Sequence, residues 1–463
     1  MAQKQKLAVT LYDSLARAER PFEPSIGNTV RLYTCGPTVY KSPHIGNYRT
    51  FIFEDLLRRT LMVAGWRVKH VMNITDVGHI THSETGEDRG DQIAQEAARL
   101  QKTAWEIAQY YEKEFIEDNA ALNNLPPTKL VRATEHIPEQ IALIKTLEKK
   151  GFTYRTTDGL YFDTSKLQNY GELAGRDSAT IQAGSRVAIG EKRSPTDFAL
   201  WKFSEAEGEK RDMEWPSPWG MGFPGWHIEC SAMSMKYLGK TLDIHCGGSD
   251  LREIHHPNEI AQSEAATGKT FSRFWMHGAF LTVKDEKMSK SSPETNITIA
   301  TLRERGFDPL DFRYFTLGTH YRKPLSFSWE ALEGARAARL KLVGALAKLP
   351  KRKAAADEDM KKDILAAFAD DLGAPQALAR LWQGIRESAS RPAVLWADHL
   401  FGLNFAHIPT ASPTPPHIQA LADAREEYRR SKDWQKADEM REKLAAEGWR
   451  IEDTPRGPVV HKI

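Results

Sequence analysis

The residues best suited to chemistry begin in one stretch, Tyr33 to Asn47, where a cysteine, a Gly-Pro turn and a His-x-Gly triplet lie between a strand-like and a helix-like run. His44 and Asn47 offer side-chain nitrogen donors, and Gly46 lets a nucleotide approach the backbone closely. The helix start that follows would expose amides to an anion such as a phosphate. Far downstream, Lys287-Met288-Ser289-Lys290-Ser291 places two lysines in a polar, hairpin-like loop after the strand-like Phe280 to Val283. Between them, Gly247-Gly248-Ser249-Asp250 forms a turn. Gly248 permits close backbone approach there, and the Asp250 carboxylate is suited to accept from ribose hydroxyls or an adenine amine. Three cysteines, Cys35, Cys230 and Cys246, are too few and too scattered for a disulfide framework and read as ligands or packed thiols.

These residues need elements to hold them at strand ends. Val30, Leu32 and Thr34 alternate as in a strand, and Ile45, Tyr48, Ile52 and Leu56 fall at helical spacing. The first motif is therefore a strand-turn-helix unit, the place where doubly wound α/β folds bind ligands. A second strand, Arg67 to Thr75, ends in Asn73-Ile74-Thr75-Asp76. A third, Thr241 to Cys246, alternates Leu242, Ile244 and Cys246, which places Cys246 among packed side chains. Gln92 to Leu122 reads as one long helix. Gly159 to Asp163 and Asp197 to Trp201 read as short strands, and the chain from about Leu302 is largely helical. Pro409 to Pro416 is a Pro/Ser/Thr-rich linker, followed by charged helices over 418–430 and 434–447.

The length of 463 residues corresponds to about three domains at ~100–200 residues each. Hydrophobic content of 41% with 27% charged residues is that of a soluble globular chain, and no apolar run approaches the ~18 residues of a membrane span. The first residues carry no signal-peptide pattern, so a cytoplasmic location is expected. A net charge of +2 gives no global signature of nucleic-acid binding. Any RNA contact must be local, and the basic run Arg336 to Lys353 is open to two readings, an RNA contact or a solvated helix face.

Both motif strings in one chain, in this order and separation, resemble class I aminoacyl-tRNA synthetases. The closer likeness is to the cysteinyl-tRNA synthetases, carried by Cys35 to Asn47, Asn73 to Asp76, Gly225 to Ser231, Gly247 to Asp250, His255-His256-x-x-Glu259 and Lys287 to Ser291. The resemblance implies an α/β fold: a Rossmann-type catalytic domain in two halves (1–122 and 218–300) split by a connective insertion (123–217). A linker and helical tRNA-binding bundle (301–408) and a small anticodon-contacting module (409–463) would follow. It implies ATP-dependent ligation of L-cysteine to tRNA(Cys) through a cysteinyl-adenylate, by a monomer with no membrane partner. His44, Asn47, Lys287 and Lys290 would be catalytic; Gly46, Gly248, Asp250 and Lys290 would bind ATP; Thr75 and Trp226 would wall the amino-acid pocket, though Trp226 fits a purely structural role nearly as well.

It also implies that Cys35, Cys230, His255 and Glu259 hold one zinc ion, with magnesium accompanying ATP. Taken singly, Cys230 reads as a packed small hydrophobe and His255 as a surface histidine; only together are the four a borderline-soft set that tetrahedral zinc accepts. Zinc would tell a thiol from a hydroxyl by coordination, whereas an apolar pocket rejects a close isostere by only ~100-fold. That agrees with an insertion too small for an editing domain. Three departures stand out. Asn47 occupies a position that is histidine in the family, Cys246 stands where the family generally has a glycine, and Pro257 between the last two ligands can open a helix but pushes His256 out of helical geometry, so that His255 and Glu259 need not share a helix face. A ligase joining cysteine to an amino sugar shares the first step but lacks the module after Pro416. A non-catalytic zinc-containing tRNA-binding paralogue would not need His44 or the lysine loop.

Overall fold

The computed structural model describes residues 7–78, 80–82, 88–175, 191–204, 211–283, 286–287, 296–407, 415–454 and 457–462. Its centre is a parallel sheet. In chain order the elements that matter are strand β1 (Thr29–Thr34), helix α1 (Ile45–Val63), β2 (Arg67–Ile74), β3 (Lys129–Arg132), α2 (Trp226–Leu238), β4 (Leu242–Gly248), α3 (His255–Thr267) and β5 (Ser272–Gly278). The strands lie in the order β5-β4-β1-β2-β3, every neighbouring pair parallel. The carboxyl ends of β4, β1 and β2 are adjacent, and each runs into one of the polar motifs.

Strand alternation divides the chemistry between the two faces of the sheet. Leu32 and Cys246 pack with Phe53 and Leu57 of α1 in one buried cluster, while Tyr33, Cys35 and Cys230 share another. In register, His245 of β4 stands beside Tyr33 of β1, so these two side chains project to the face that carries Cys35. Cys246 is thus a packed thiol with its back to the metal-ligand candidates, as the alternation Leu242, Ile244, Cys246 indicates.

Helix α1 is apolar on several sides because it is covered on several sides. Its Arg49 donates to the carbonyls of Ala279 and Phe280, fixing the chain just after β5. That segment leads into Leu281–Val283, which pairs with Glu286–Lys287 and with Leu325–Phe327. Further along α1, Asp55 accepts from Arg59 and from the fully buried Arg313 of helix Pro309–Leu317, and Arg313 also donates to Phe401 O and Leu122 O. A carboxylate and two guanidiniums out of water hold together because each charge has several partners.

Residues 92–122 form two helices, Gln92–Leu100 and Ala104–Ala121, and not one. Gln101 adopts a left-handed conformation (φ 53°) that ends the first, and a Thr103/Glu106 capping box starts the second. The insertion holds a five-stranded antiparallel sheet in which Gly159–Phe162 and Phe198–Phe203 are the middle pair, joined by Thr153–Arg155, Trp215–Ser217 and Gly220–Pro224. The sheet therefore runs past Ser217. In the basic run, Arg339 is drawn inside by a 2.7 Å hydrogen bond to Asp311 and belongs to the core, while Lys341 and Lys348 are exposed.

Two compact units emerge: the described residues up to 303 together with 307–403, and 304–306 together with those from 404 on. The second unit consists of helices Pro416–Arg430 and Trp434–Ala446 and a hairpin, Trp449–Thr454 with Gly457–Lys462, around Ile418, Leu444 and Ile451. Residues 408–414, which include most of the Pro-rich linker, lie outside the described residues.

Candidate active site and metal centre

His44 is the N-cap of α1. Its Nδ1 accepts from the Asn47 amide (3.2 Å), and the Asn47 side-chain oxygen accepts from the His44 amide (3.1 Å), a reciprocal capping box. The Asn47 oxygen is therefore committed to the helix start, and its NH2 is the end that can donate to a ligand. Gly46 lies in the same first turn. Gly248 ends β4, and a Cβ there would stand 2.4 Å from Asp250 Oδ1, so glycine makes room for that carboxylate. Likewise Gly36, after β1, lies so close to β2 that a Cβ would come within 1.8 Å of Asn73 O. His44, Asp250 and Thr75 thus sit beyond the ends of three neighbouring strands. Lys287 is placed by backbone pairing with Thr282. Lys290 and the rest of its loop, Met288 to Ser291, lie outside the described residues.

Cys35, Cys230, His255 and Glu259 are all buried, with donor atoms within 4.8 Å of one another. Each comes from a different constraint: Cys35 follows β1, Cys230 rides α2, and His255 and Glu259 belong to α3. Pro257 leaves His255 and Glu259 on one helix face. Pro257 occupies the first turn of α3, where its missing N–H is not needed, so His255 Nε2 and Glu259 Oε1 meet at 3.1 Å across one turn. A second group shares two of these residues: Cys35, His245, His256 and Glu259. His245 Nε2 lies 3.0 Å from Glu259 Oε2, and His256 Nε2 lies 3.5 Å from Cys35 Sγ. His256 Nδ1 continues to His277 Nε2 (2.8 Å), and His277 Nδ1 to Ser14 Oγ (2.8 Å).

The electrostatics are those of a seat for a cation. Burial alone would raise Glu259, but His245 and His255 outweigh it and draw the carboxyl down to about 2. Burial would lower His255, yet Glu259 and Cys230 push it up to about 10. A hydrogen bond with Cys35, reinforced by His255 against burial, brings Cys230 down to about 7, while burial and Cys230 hold Cys35 up. Burial, then His245 and His277, keep His256 well below the ordinary histidine range. Two sulfurs, an imidazole and a carboxylate, converging and partly anionic, can hold a metal ion.

Trp226 opens α2 and leans over His255, ring centroids 4.4 Å apart, while remaining 37% exposed. It forms the cluster's outer cover. Thr75 is buried, and its hydroxyl donates to Glu229 (3.1 Å) while accepting from Asn73 Nδ2 (3.1 Å). Glu229 adjoins Cys230, so Thr75 is tied to the helix that carries a metal-ligand candidate. Sequence reasoning missed Glu229, Tyr33, His245 and His277 as parts of this centre, and treated His256 only as motif. The parity of β4 was the available signal for His245, since it falls on the face opposite Ile244 and Cys246.

A catalytic-domain model described as tRNA synthetases class I (C) matches residues 21–337. Cysteine–tRNA ligase 1 of Burkholderia lata is 50% identical over 459 residues, covering 97% of this chain and 96% of its own. The chain belongs to the cysteine–tRNA ligase family. Other cysteine–tRNA ligases, from Zymomonas mobilis (41% identical, 96% of each chain) and Thermus thermophilus (38%, 98% of this chain and 99% of the other), align almost end to end with it. Mycobacterium tuberculosis methionyl-tRNA synthetase, solved with methionyl-adenylate, superposes with a TM-score of 0.56 at 16% identity over 82% of this chain and 89% of its own. That likeness concerns the fold, the Rossmann-like parallel sheet of class I synthetases with its helical additions. Among the described residues of this cysteine–tRNA ligase family member, no helix is long and apolar enough to cross a membrane.

Proposed function

We propose that this enzyme joins L-cysteine to tRNA(Cys) in two steps at the ends of β4, β1 and β2. A cysteine carboxylate oxygen attacks the α-phosphorus of ATP, the bond to pyrophosphate breaks, and cysteinyl-adenylate forms. A hydroxyl of the terminal tRNA ribose then attacks the acyl carbon and AMP leaves. The observation that carries this reading is the buried Cys35, Cys230, His255 and Glu259 cluster beside the His44 turn, in a chain aligned end to end with cysteine–tRNA ligases.

The cluster fits zinc by its donor set, its burial and its pull on positive charge. Zinc held there would supply an affinity for a thiolate that a hydroxyl cannot match, and so a means of rejecting serine. The remaining work falls to side chains. In-line displacement at phosphorus asks for positioning and for positive charge against the developing anion. His44 and the Asn47 amide donate toward the phosphates, with Lys290, Lys287 and a magnesium ion that accompanies ATP. Gly46 and Gly248 allow the nucleotide close, and Asp250 accepts from ribose. Trp226 and Thr75 wall the amino-acid pocket. With its hydroxyl hydrogen given to the Glu229 carboxylate and one lone pair taken by Asn73 Nδ2, Thr75 has no donor left for a ligand and one lone pair. Residues 301–408 would receive the tRNA and 409–463 contact the anticodon, in a cytoplasmic monomer.

The test is transfer of labelled cysteine to total tRNA with ATP and magnesium, beside serine and beside Cys230→Ser. Charging with cysteine alone, lost in the variant, is expected. Cysteine-dependent pyrophosphate exchange without charging would overturn tRNA as acceptor, and neither activity would overturn catalysis.

A further inference from the structure

Tyr33 belongs to this centre, yet neither the ligand set nor the pocket walls account for it. It is fully buried near the carboxyl end of β1, and its ring stands edge-on to His245 with centroids 5.1 Å apart. Its position is fixed by parity. Two residues before Cys35 on β1 and in register with His245 on β4, it must project to the face covered by α2 and α3. There it packs with Cys35 and Cys230. Its hydroxyl has no hydrogen-bond partner among the described residues. Phenylalanine would bury the same ring without an orphaned hydroxyl, and a buried donor left unpaired is costly. The groups around it are anionic or can become so. Beyond burial itself, the charges that bear on it most are Cys230, then Cys35, then Glu259.

The charge count of the centre explains the need for such a donor. A divalent ion held by two thiolates, one carboxylate and a neutral imidazole leaves a net charge of −1, and a substrate thiolate would make it −2. All of this is out of water. Cys35 already has the His256 ring nitrogen 3.5 Å from its sulfur. Cys230 is met by Cys35 and His255, both metal-ligand candidates themselves, and Tyr33 of β1 bears on it as well. A hydrogen bond to a ligating thiolate spreads its charge, reduces its donation to the metal and so preserves the metal's capacity for another ligand.

We propose that Tyr33 is a positioning residue whose hydroxyl donates to the Cys230 thiolate of the metal-loaded centre, stabilising it and keeping it open to the sulfur of the substrate. The inference rests on the reading that Cys35, Cys230, His255 and Glu259 hold a metal. The ring packs the core in either case; the hydroxyl acts only when the centre carries an ion.

Tyr33→Phe separates the two. Purified wild-type and variant chains are stripped of metal, compared for thermal midpoint, and titrated with zinc against a chromophoric chelator. Cobalt(II) loading then gives the thiolate-to-metal charge-transfer band. The proposal expects the stripped variant to melt no lower than wild type, because only an orphaned donor has been removed. It also expects zinc to be held about 10- to 100-fold more weakly, within the range for lost outer-shell partners. The cobalt band should move to lower energy, since the sulfur electrons are no longer held by a hydrogen bond. KM for cysteine should rise more than kcat falls. Equal zinc affinity and an unmoved band in the variant overturn the role given to Tyr33 while leaving the metal centre intact. A wild-type chain that takes up no stoichiometric zinc overturns the metal reading itself.

Discussion

Asp76, at the tip of β2 beside Thr75, gives a prediction whose size follows from the structure. Its carboxyl is 4% exposed and accepts from the Thr134 amide (3.0 Å) and hydroxyl (2.5 Å). Burial, with a contribution from Glu229, raises it from an ordinary 3.8 to about 6 in spite of those bonds. A folded-state pKa above the unfolded one means that the folded protein binds the proton more tightly. The stability contribution is complete below the unfolded value and is lost as pH rises through the folded one. Between pH 5 and 8 the loss from this one group comes to about 1.4 kcal/mol. Asp76→Asn removes the titration and keeps the shape, and its amide oxygen can still accept from the Thr134 amide. The assay is urea unfolding of wild type and variant at pH 5, 6, 7 and 8. The difference between the two proteins should shift by about 1.4 kcal/mol in favour of the variant from pH 5 to 8. The double difference cancels every other titrating group, including Asp118, which burial also raises to about 6. A pH-independent difference, or one of opposite sign, would refute the reasoning.

Three further outcomes follow from the same geometry. His44→Ala should cost about 1 kcal/mol of stability as a lost N-cap, but reduce cysteine-dependent pyrophosphate exchange about 100-fold or more, as removal of a transition-state donor does; Asn47→Ala should cost similar stability and less rate. Cys246→Ala should lose roughly 1–2 kcal/mol of packing and keep its full metal content by elemental analysis, whereas Cys230→Ser should lose metal. Arg313→Met should lower unfolding stability by about 3–5 kcal/mol, because Asp55 would stay buried without one of the two guanidiniums bonded to it; a variant as stable as wild type would show that the pair merely replaces a packed apolar contact.

The catalytic half of the fold could be read from the sequence because its signals are local and repeat. Alternation in β1 and β4, helical spacing from Ile45 and glycine-bearing turns all point to parallel strands with polar tips. The metal-ligand candidates were legible only through likeness, since no single residue of the four departs from a packed or surface role. The features misjudged or left open share one physical cause, the effect of position within an element. The sequence around Pro257 leaves open whether His255 and Glu259 share a helix face, and they do, because in a first turn proline costs no hydrogen bond. The run from Gln92 to Leu122 has continuous helical character, but Gln101 turns left-handed where Thr103 and Glu106 begin a new cap. His245 and Tyr33 stayed hidden because their importance lies in register across two strands 212 residues apart, which spacing along the chain does not reveal. The insertion's outer strands, Thr153–Arg155 and Trp215–Ser217, are three residues each, too short for alternation to register.

The central claim is that the sulfur of the substrate joins the buried cluster. Zinc K-edge X-ray absorption on the zinc-loaded enzyme, without and with cysteine or serine, tests it most directly. Cys35 and Cys230 are the two sulfur donors of the group that includes His255 and Glu259. Two sulfur ligands are expected for the enzyme alone and with serine, and a third when cysteine is added. A count that stays at two with saturating cysteine would contradict it.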